Sequence, residues 1–164
     1  MKKISFIAAI LLLAILLSGC TSIGYTRATY NNNQSFQGLK LGLPVLVYGD
    51  KDSNVIANAE FSFMGNESTK DNLNSLCLGL QYHKSLFEGF GLYGGLGSSD
   101  YYYYPAVGRS FTIGSGMSYE GGVDIYTLFH LGYRSTSVNS KNIDMIFLEF
   151  GIPFNMGGAA LWGD

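Results

Sequence analysis

The ten residues NVIANAEFSF, Asn54–Phe63, alternate with a period of two over most of their length. Val55, Ala57, Ala59, Phe61 and Phe63 fall on one face, and Asn54, Asn58, Glu60 and Ser62 on the other. Successive side chains of a strand point to opposite faces, so this stretch reads as a two-faced strand. Outward from it, the pattern divides the chain into eight segments, at 22–30, 37–48, 54–64, 74–84, 88–97, 107–119, 122–134 and 143–154. Each is close to the ~9–11 residues that a tilted strand needs to cross a bilayer. The composition agrees: 22 glycines, 12 tyrosines, 11 phenylalanines and only 13% charged residues make poor helix material.

The two faces differ in size as well as polarity. One carries bulky apolar residues, as in Leu39, Leu41, Leu43, Val45 and Val47, or Ile146, Leu148, Phe150 and Ile152. The other is rich in glycine and small polar residues, among them Gly42, Gly79, Gly91, Ser110, Thr112, Gly114, Gly116, Gly132 and Gly151. The interior of an eight-stranded barrel is only just wide enough for side chains to fill. Small and polar inside with large and apolar outside predicts an antiparallel all-β transmembrane barrel. The rival reading is a soluble periplasmic barrel or sandwich, which needs the opposite arrangement. The connections alternate too: GDKDS, KSLFE and EGG are tight, whereas NNNQSFQ, GNESTKDN, SSDYYYYPA and STSVNSKN are longer and polar. Short turns on one rim and long loops on the other is the organisation of transmembrane barrels, with both termini on the short-turn, periplasmic side.

At the N-terminus, Lys2 and Lys3 precede an apolar run, Ile4 to Leu17, interrupted by Ser5 and followed by LSGC. A positive start, a short apolar core and small residues before a cleavage point mark an export signal over residues 1–19. An uncleaved anchor, or an ordinary signal with a chance cysteine, is the alternative. LLSGC resembles the lipobox of bacterial lipoproteins, which implies lipidation of Cys20. Thr21 follows, and the resemblance implies sorting to the outer membrane. Without residues 1–19 the cations fall from 10 to 8 against 12 acidic residues, a net charge of −4. That leaves no electrostatic case for nucleic acid. With Cys20 acylated, Cys77 is alone and no internal disulfide forms. Two histidines and one cysteine offer no zinc-ligand spacing.

In architecture the eight segments resemble the small outer-membrane barrels of the OmpA and OmpX type. The resemblance covers nearly all of residues 20–154 and rests on no diagnostic motif. It implies insertion by the outer-membrane assembly machinery, with outer-membrane lipid as the surroundings. Such barrels end on an aromatic, here Phe154 in FLEFGIPF, but NMGGAALWGD follows. Residues 155–164 are thus a tail, or else Leu161 and Trp162 belong to a final strand.

The face assigned to the interior carries Arg27, Lys40, Glu60, His130, Arg134 and Glu149. Pairing about GDKDS brings Lys40 near Glu60, and closure of the first strand on the last brings Arg27 near Glu149. Two ion pairs are expected, with His130 beside the second, forming a structural network that blocks the lumen rather than a gated path. Catalysis lacks a basis. An eight-stranded lipid A deacylase uses a His–Ser–Glu set on its outer face, with the serine two residues after the histidine; here that position is Gly132. His83 is expected at the membrane interface and Cys77 as inert packing. GFGLYGGLG, Gly89–Gly97, lacks the following helix of a phosphate cradle, and no cofactor is expected.

SSDYYYYPA, with Tyr101, Tyr102, Tyr103 and Tyr104 in a row, fits the rim of a barrel. Tyrosine suits a membrane–water interface because its ring is apolar and its hydroxyl polar. Two of the four are expected to face the girdle and two to cap the lumen, with Tyr30 and Tyr133 on the same rim and Tyr25, Tyr82 and Tyr119 near the other. The sequence therefore points to a non-enzymatic outer-membrane barrel lipoprotein of structural or surface-interaction type, binding through its outer loops. A soluble lipid-anchored binding protein and a lipid-modifying barrel enzyme are the alternatives.

Overall fold

The structure is a computed structural model that describes residues 21–30, 34–50, 52–126 and 128–152. The signal segment, Cys20, Phe154 and the C-terminal tail lie outside the described residues. Eight strands run β1 Thr21–Tyr30, β2 Gln34–Gly49, β3 Ser53–Gly65, β4 Asn72–Phe87, β5 Phe90–Tyr104, β6 Phe111–Ile125, β7 Phe129–Val138 and β8 Lys141–Ile152. Each pairs antiparallel with its neighbours in sequence, and β1 closes on β8. Closure leaves no free strand edge. Thr21 lies opposite Ile152, so the strand ends that carry both termini share one rim. It is called the terminus rim below, and the other the far rim.

Several connections differ from the sequence expectation: Gln34–Gln37 of NNNQSFQ belong to β2, and Ser98–Tyr104 of SSDYYYYPA to β5. EGG, Glu120–Gly122, is not a turn but the interior of β6; the chain turns three residues later, between Ile125 and Phe129. Space explains why glycines sit there without a turn. A Cβ at Gly122 would collide with the Tyr93 ring and hydroxyl, and one at Gly132 with that hydroxyl and the Phe147 ring. STSVNSKN is likewise mostly strand. Only Asn139 and Ser140 lie between β7 and β8, both at positive φ (49° and 63°). A two-residue connection with both φ positive is the type I′ hairpin, whose twist matches that of the strands. Among the described residues, the connections with room to be loops on the far rim are 66–71 and 105–110.

Outward side chains are apolar toward the terminus rim and midway up, as with Leu39, Leu41, Phe61, Leu78, Leu80, Leu96, Leu131 and Leu148, all more than one-third exposed. Toward the far rim the outward positions become polar on several strands. There Arg27 donates to Ser35 Oγ at 3.0 Å, Gln37 to Glu67 at 2.6 Å and Tyr133 to Asp144 at 2.7 Å. A 16-residue strand such as β4 tilted by about 40° rises roughly 40 Å. The apolar band of such barrels is about 25 Å tall, so the strands carry a polar collar above it.

The interior is not uniformly small and polar. Its far-rim third is an apolar plug of Ala28, Phe36, Met64, Leu73, Tyr101, Ile113, Val138, Ile143 and Met145. A lumen this narrow has to be filled, and large side chains from some strands occupy the room left by small ones on others.

Candidate functional site

Below the apolar plug, the lumen holds a layer of ion pairs. Lys40 Nζ lies 2.9 Å from Glu60 Oε1 and 3.1 Å from Glu149 Oε1, and 3.5 Å above the centre of the Phe147 ring. Arg134 bonds through Nη2 to both Glu60 and Glu120, and through Nε to Glu120 at 2.9 Å. Asn58 and Ser22 donate to Glu60 and Glu149 at 2.6 and 3.2 Å. Lys40, Glu60 and Arg134 are at most 1% exposed. Charges removed from water to this degree are held only by close pairing and added hydrogen bonds.

The expected second pair does not form. Arg27 shares its parity with Ile23 and Tyr25, so its side chain points out of the barrel to Ser35, while Glu149 points in and meets Lys40. Inside and outside on β1 follow Ser22, Thr26 and Ala28, which are buried; an arginine in the polar collar needs no internal partner. Lys40 faces Ser62 in the ladder and Glu60 faces Gly42. The Lys40–Glu60 contact is thus diagonal, two residues off the direct pairing. Glu120 lies in EGG, which reads as a turn by composition, so its pairing with Arg134 is not legible in the sequence.

A third layer lies next to the terminus rim. His83 Nδ1 is 2.7 Å from Asp124 Oδ2, and His130 Nδ1 is 2.6 Å from Asp124 Oδ1. His83 stacks on Tyr93 with ring centres 5.0 Å apart, and His130 meets the edge of both rings. His83 is therefore a buried lumen residue, not one at the membrane interface, because it shares the inward parity of Gln81 and Cys77. His130 has Glu149 directly across the β7–β8 ladder and Asp124 directly across the β6–β7 ladder, and it bonds to Asp124. Counting only histidine and cysteine spacing overlooked this set, since the carboxylate that joins the two histidines arrives through tertiary pairing.

The four tyrosines alternate. Tyr101 is fully buried, with its hydroxyl 3.0 Å from Thr136 Oγ1. Tyr103 donates to Asp71 Oδ2 at 2.5 Å, and Asp71 also accepts the Ala106 amide at 2.8 Å. Tyr102 and Tyr104 point outward. Ile113 bulges opposite the step from Tyr101 to Tyr102, where Gly114 takes φ 137°, a conformation that glycine adopts without a Cβ clash. Tyr25 differs from its expected rim: its hydroxyl reaches toward the collar and bonds Gln37 at 2.7 Å. Cys77 faces the lumen 3.7 Å from Ser118 Oγ.

No family model and no curated protein matches the chain. Solved structures do. Neisserial surface protein A, NspA, is 14% identical with a TM-score of 0.62, over 84% of this chain and 97% of that one. Ail, the attachment invasion locus protein of Yersinia pestis, is 16% identical with a TM-score of 0.56, over 82% and 97%. The N-terminal β-barrel domain of Pseudomonas aeruginosa OprF is 13% identical with a TM-score of 0.50, over 82% and 99%. At these identities the likeness is one of fold. The chain has the closed, eight-stranded antiparallel architecture of the small outer-membrane barrels of the OmpA and OmpX type.

Proposed function

We propose that the chain is an outer-membrane barrel, attached by lipid at Cys20, that acts as a sealed, non-enzymatic scaffold for interactions at its far rim. The carrying observation is the inversion of polarity across the wall. Lys40, Glu60 and Arg134 are buried inside, while Leu80, Leu96 and Leu148 are more than half exposed outside. In water this distribution is unfavourable on both faces; in lipid it is the favourable one. Among the described residues an apolar plug, a layer of ion pairs and a histidine–aspartate layer follow one another down the lumen, which supports a plug rather than a conduit. Both histidines bond to Asp124, and Ser135 donates to Asp144 at 2.7 Å. The His–Ser pairing of a hydrolase therefore has no support among the described residues. Recognition falls to the collar and to loops 66–71 and 105–110, which Asp71 ties together.

Gel migration of membrane-extracted protein, boiled and unboiled, tests the barrel. A compact unheated form that shifts on boiling is expected; soluble protein released once the lipid is removed overturns the reading. Radiolabelled lipid is expected on wild type and absent from Cys20→Ala, and label that persists refutes the attachment.

A further inference from the structure

The lumen carries a charge imbalance, and its third layer brings two hydrogen-bond acceptors face to face. Among the described residues, four carboxylates point into the lumen (Glu60, Glu120, Glu149 and Asp124) against two fixed cations, Lys40 and Arg134. The lumen is short of two positive charges. The four carboxylates are not spread evenly: Lys40 and Arg134 engage the three glutamates, and Asp124 meets only the two histidines.

The tautomer of His83 follows from its neighbours. Arg134 holds Glu120, whose Oε1 accepts from Gln81 Nε2 at 2.6 Å. That fixes the Gln81 amide with its oxygen toward His83 Nε2, 3.2 Å away. An amide oxygen only accepts, so Nε2 carries the hydrogen. A neutral His83 then turns the lone pair of Nδ1 toward a carboxylate oxygen at 2.7 Å. Two acceptors at that distance need a cation or an additional proton between them. A metal-bound imidazole in proteins shows this arrangement: one nitrogen ligates while the other donates to an oxygen acceptor that orients the ring.

We propose that His83 Nδ1, Asp124 and His130 Nδ1 form a binding site for one divalent transition-metal ion, of the zinc type, just inside the terminus-rim mouth. Their ligand atoms all lie within 4.8 Å of one another. Ligand atoms around a tetrahedral zinc stand about 3.3 Å apart, so the two Nδ1–carboxylate contacts, which measure 2.7 and 2.6 Å, open by roughly 0.6–0.7 Å as the ion enters. Two imidazoles and one carboxylate are a zinc-type donor set that leaves a fourth position open. The His130 side chain is 21% exposed, and it is the second residue of β7, which gives the site an entry path from the rim. The buried Tyr93 hydroxyl has no hydrogen-bond partner among the described residues and lies against Gly122 and Gly132. Those two positions are each two residues from a ligand and on the same inward face. A divalent ion supplies the two missing charges and ties β4, β6 and β7 together.

The test uses the full chain folded in detergent micelles, titrated with Zn2+ against a chromophoric chelator, with unheated gel mobility as the check on folding. One saturable equivalent per barrel is expected. It is lost in His83→Ala and in His130→Ala, falls about 10–100-fold in affinity in Gln81→Met, whose side chain only positions His83, and is kept in Cys77→Ser. Zinc also raises the temperature of the gel shift in wild type and not in the ligand variants. Where a variant fails to fold, Co2+ added to wild type decides: a visible band without thiolate charge transfer supports the histidine–carboxylate site. Absence of one-to-one binding by the folded wild type overturns the proposal. Binding that survives His130→Ala, or that needs Cys77, overturns it as well. A normal heat shift without zinc binding rejects the metal site and leaves the barrel reading intact.

Discussion

At the scale of single residues, the lumen is organised by a few buried charges. Arg134 is the only cation that reaches Glu120 and one of two that reach Glu60 among the described residues. Arg134→Met strands carboxylates out of water, and removal of one partner from such a cluster costs about 3–5 kcal/mol. Arg134→Lys restores the charge but not the fork that spans two carboxylates, so an intermediate loss is expected. Urea titration of the unheated band in lipid measures both; a methionine variant as stable as wild type refutes the accounting. At the far rim, the Tyr103 hydroxyl holds the Asp71 carboxyl below the ordinary carboxylate range, aided by the Ala106 amide and the Thr69 hydroxyl. A lowered folded pKa adds stability above the unfolded value of about 3.9 that is lost as pH falls through the folded one. The Ala106 amide resonance is therefore expected to stay in place from pH 7 to about 5, and to move only below pH ~4. In Asp71→Asn it is displaced at every pH.

At the scale of elements, the strands were legible and several of their joins were not. Period-two alternation identifies which side of a strand each residue occupies, and β3, β4, β7 and β8 follow it. Turn positions depend on more than composition. Gly121 and Gly122 have turn chemistry, yet they sit in mid-strand, and at Gly122 the Tyr93 side chain occupies the space a Cβ would need. Asn139 and Ser140 form a turn inside what reads as a polar loop. Serine at positive φ carries the steric cost of a Cβ that glycine avoids, about 1–2 kcal/mol, and Asn-Gly is the preferred type I′ pair. Ser140→Gly is thus expected to stabilise the barrel by up to about 1 kcal/mol, read as a higher temperature of the boiled-band transition. A decrease shows that the Ser140 side chain has a role at the turn.

At the scale of the molecule, the wall separates two solvents, and a charge on its outer face reports which is outside. Leu80 is 56% exposed on β4, between Ala57 and Leu96 in the ladders. Leu80→Arg is expected to cost about 2–4 kcal/mol in lipid. Val107→Arg, in the loop after β5 and 91% exposed, is expected to cost almost nothing. Equal costs in the two variants speak against an embedded wall. By itself the sequence determined the number of strands, the inward and outward parity of most residues, and the apolar wall, because each follows from local alternation along one strand. The side of β1 that Arg27 faces was also encoded there, in its shared parity with Ile23 and Tyr25. Only the tertiary structure decided which inward residues meet. Asp124 and His130 read as members of one strand, six residues apart. The reversal between Ile125 and Phe129 puts them opposite each other on adjacent strands, and closure of the narrow barrel sets His83 against both. Parity is a property of one chain segment, whereas contact across a lumen depends on register, tilt and closure of all eight strands together.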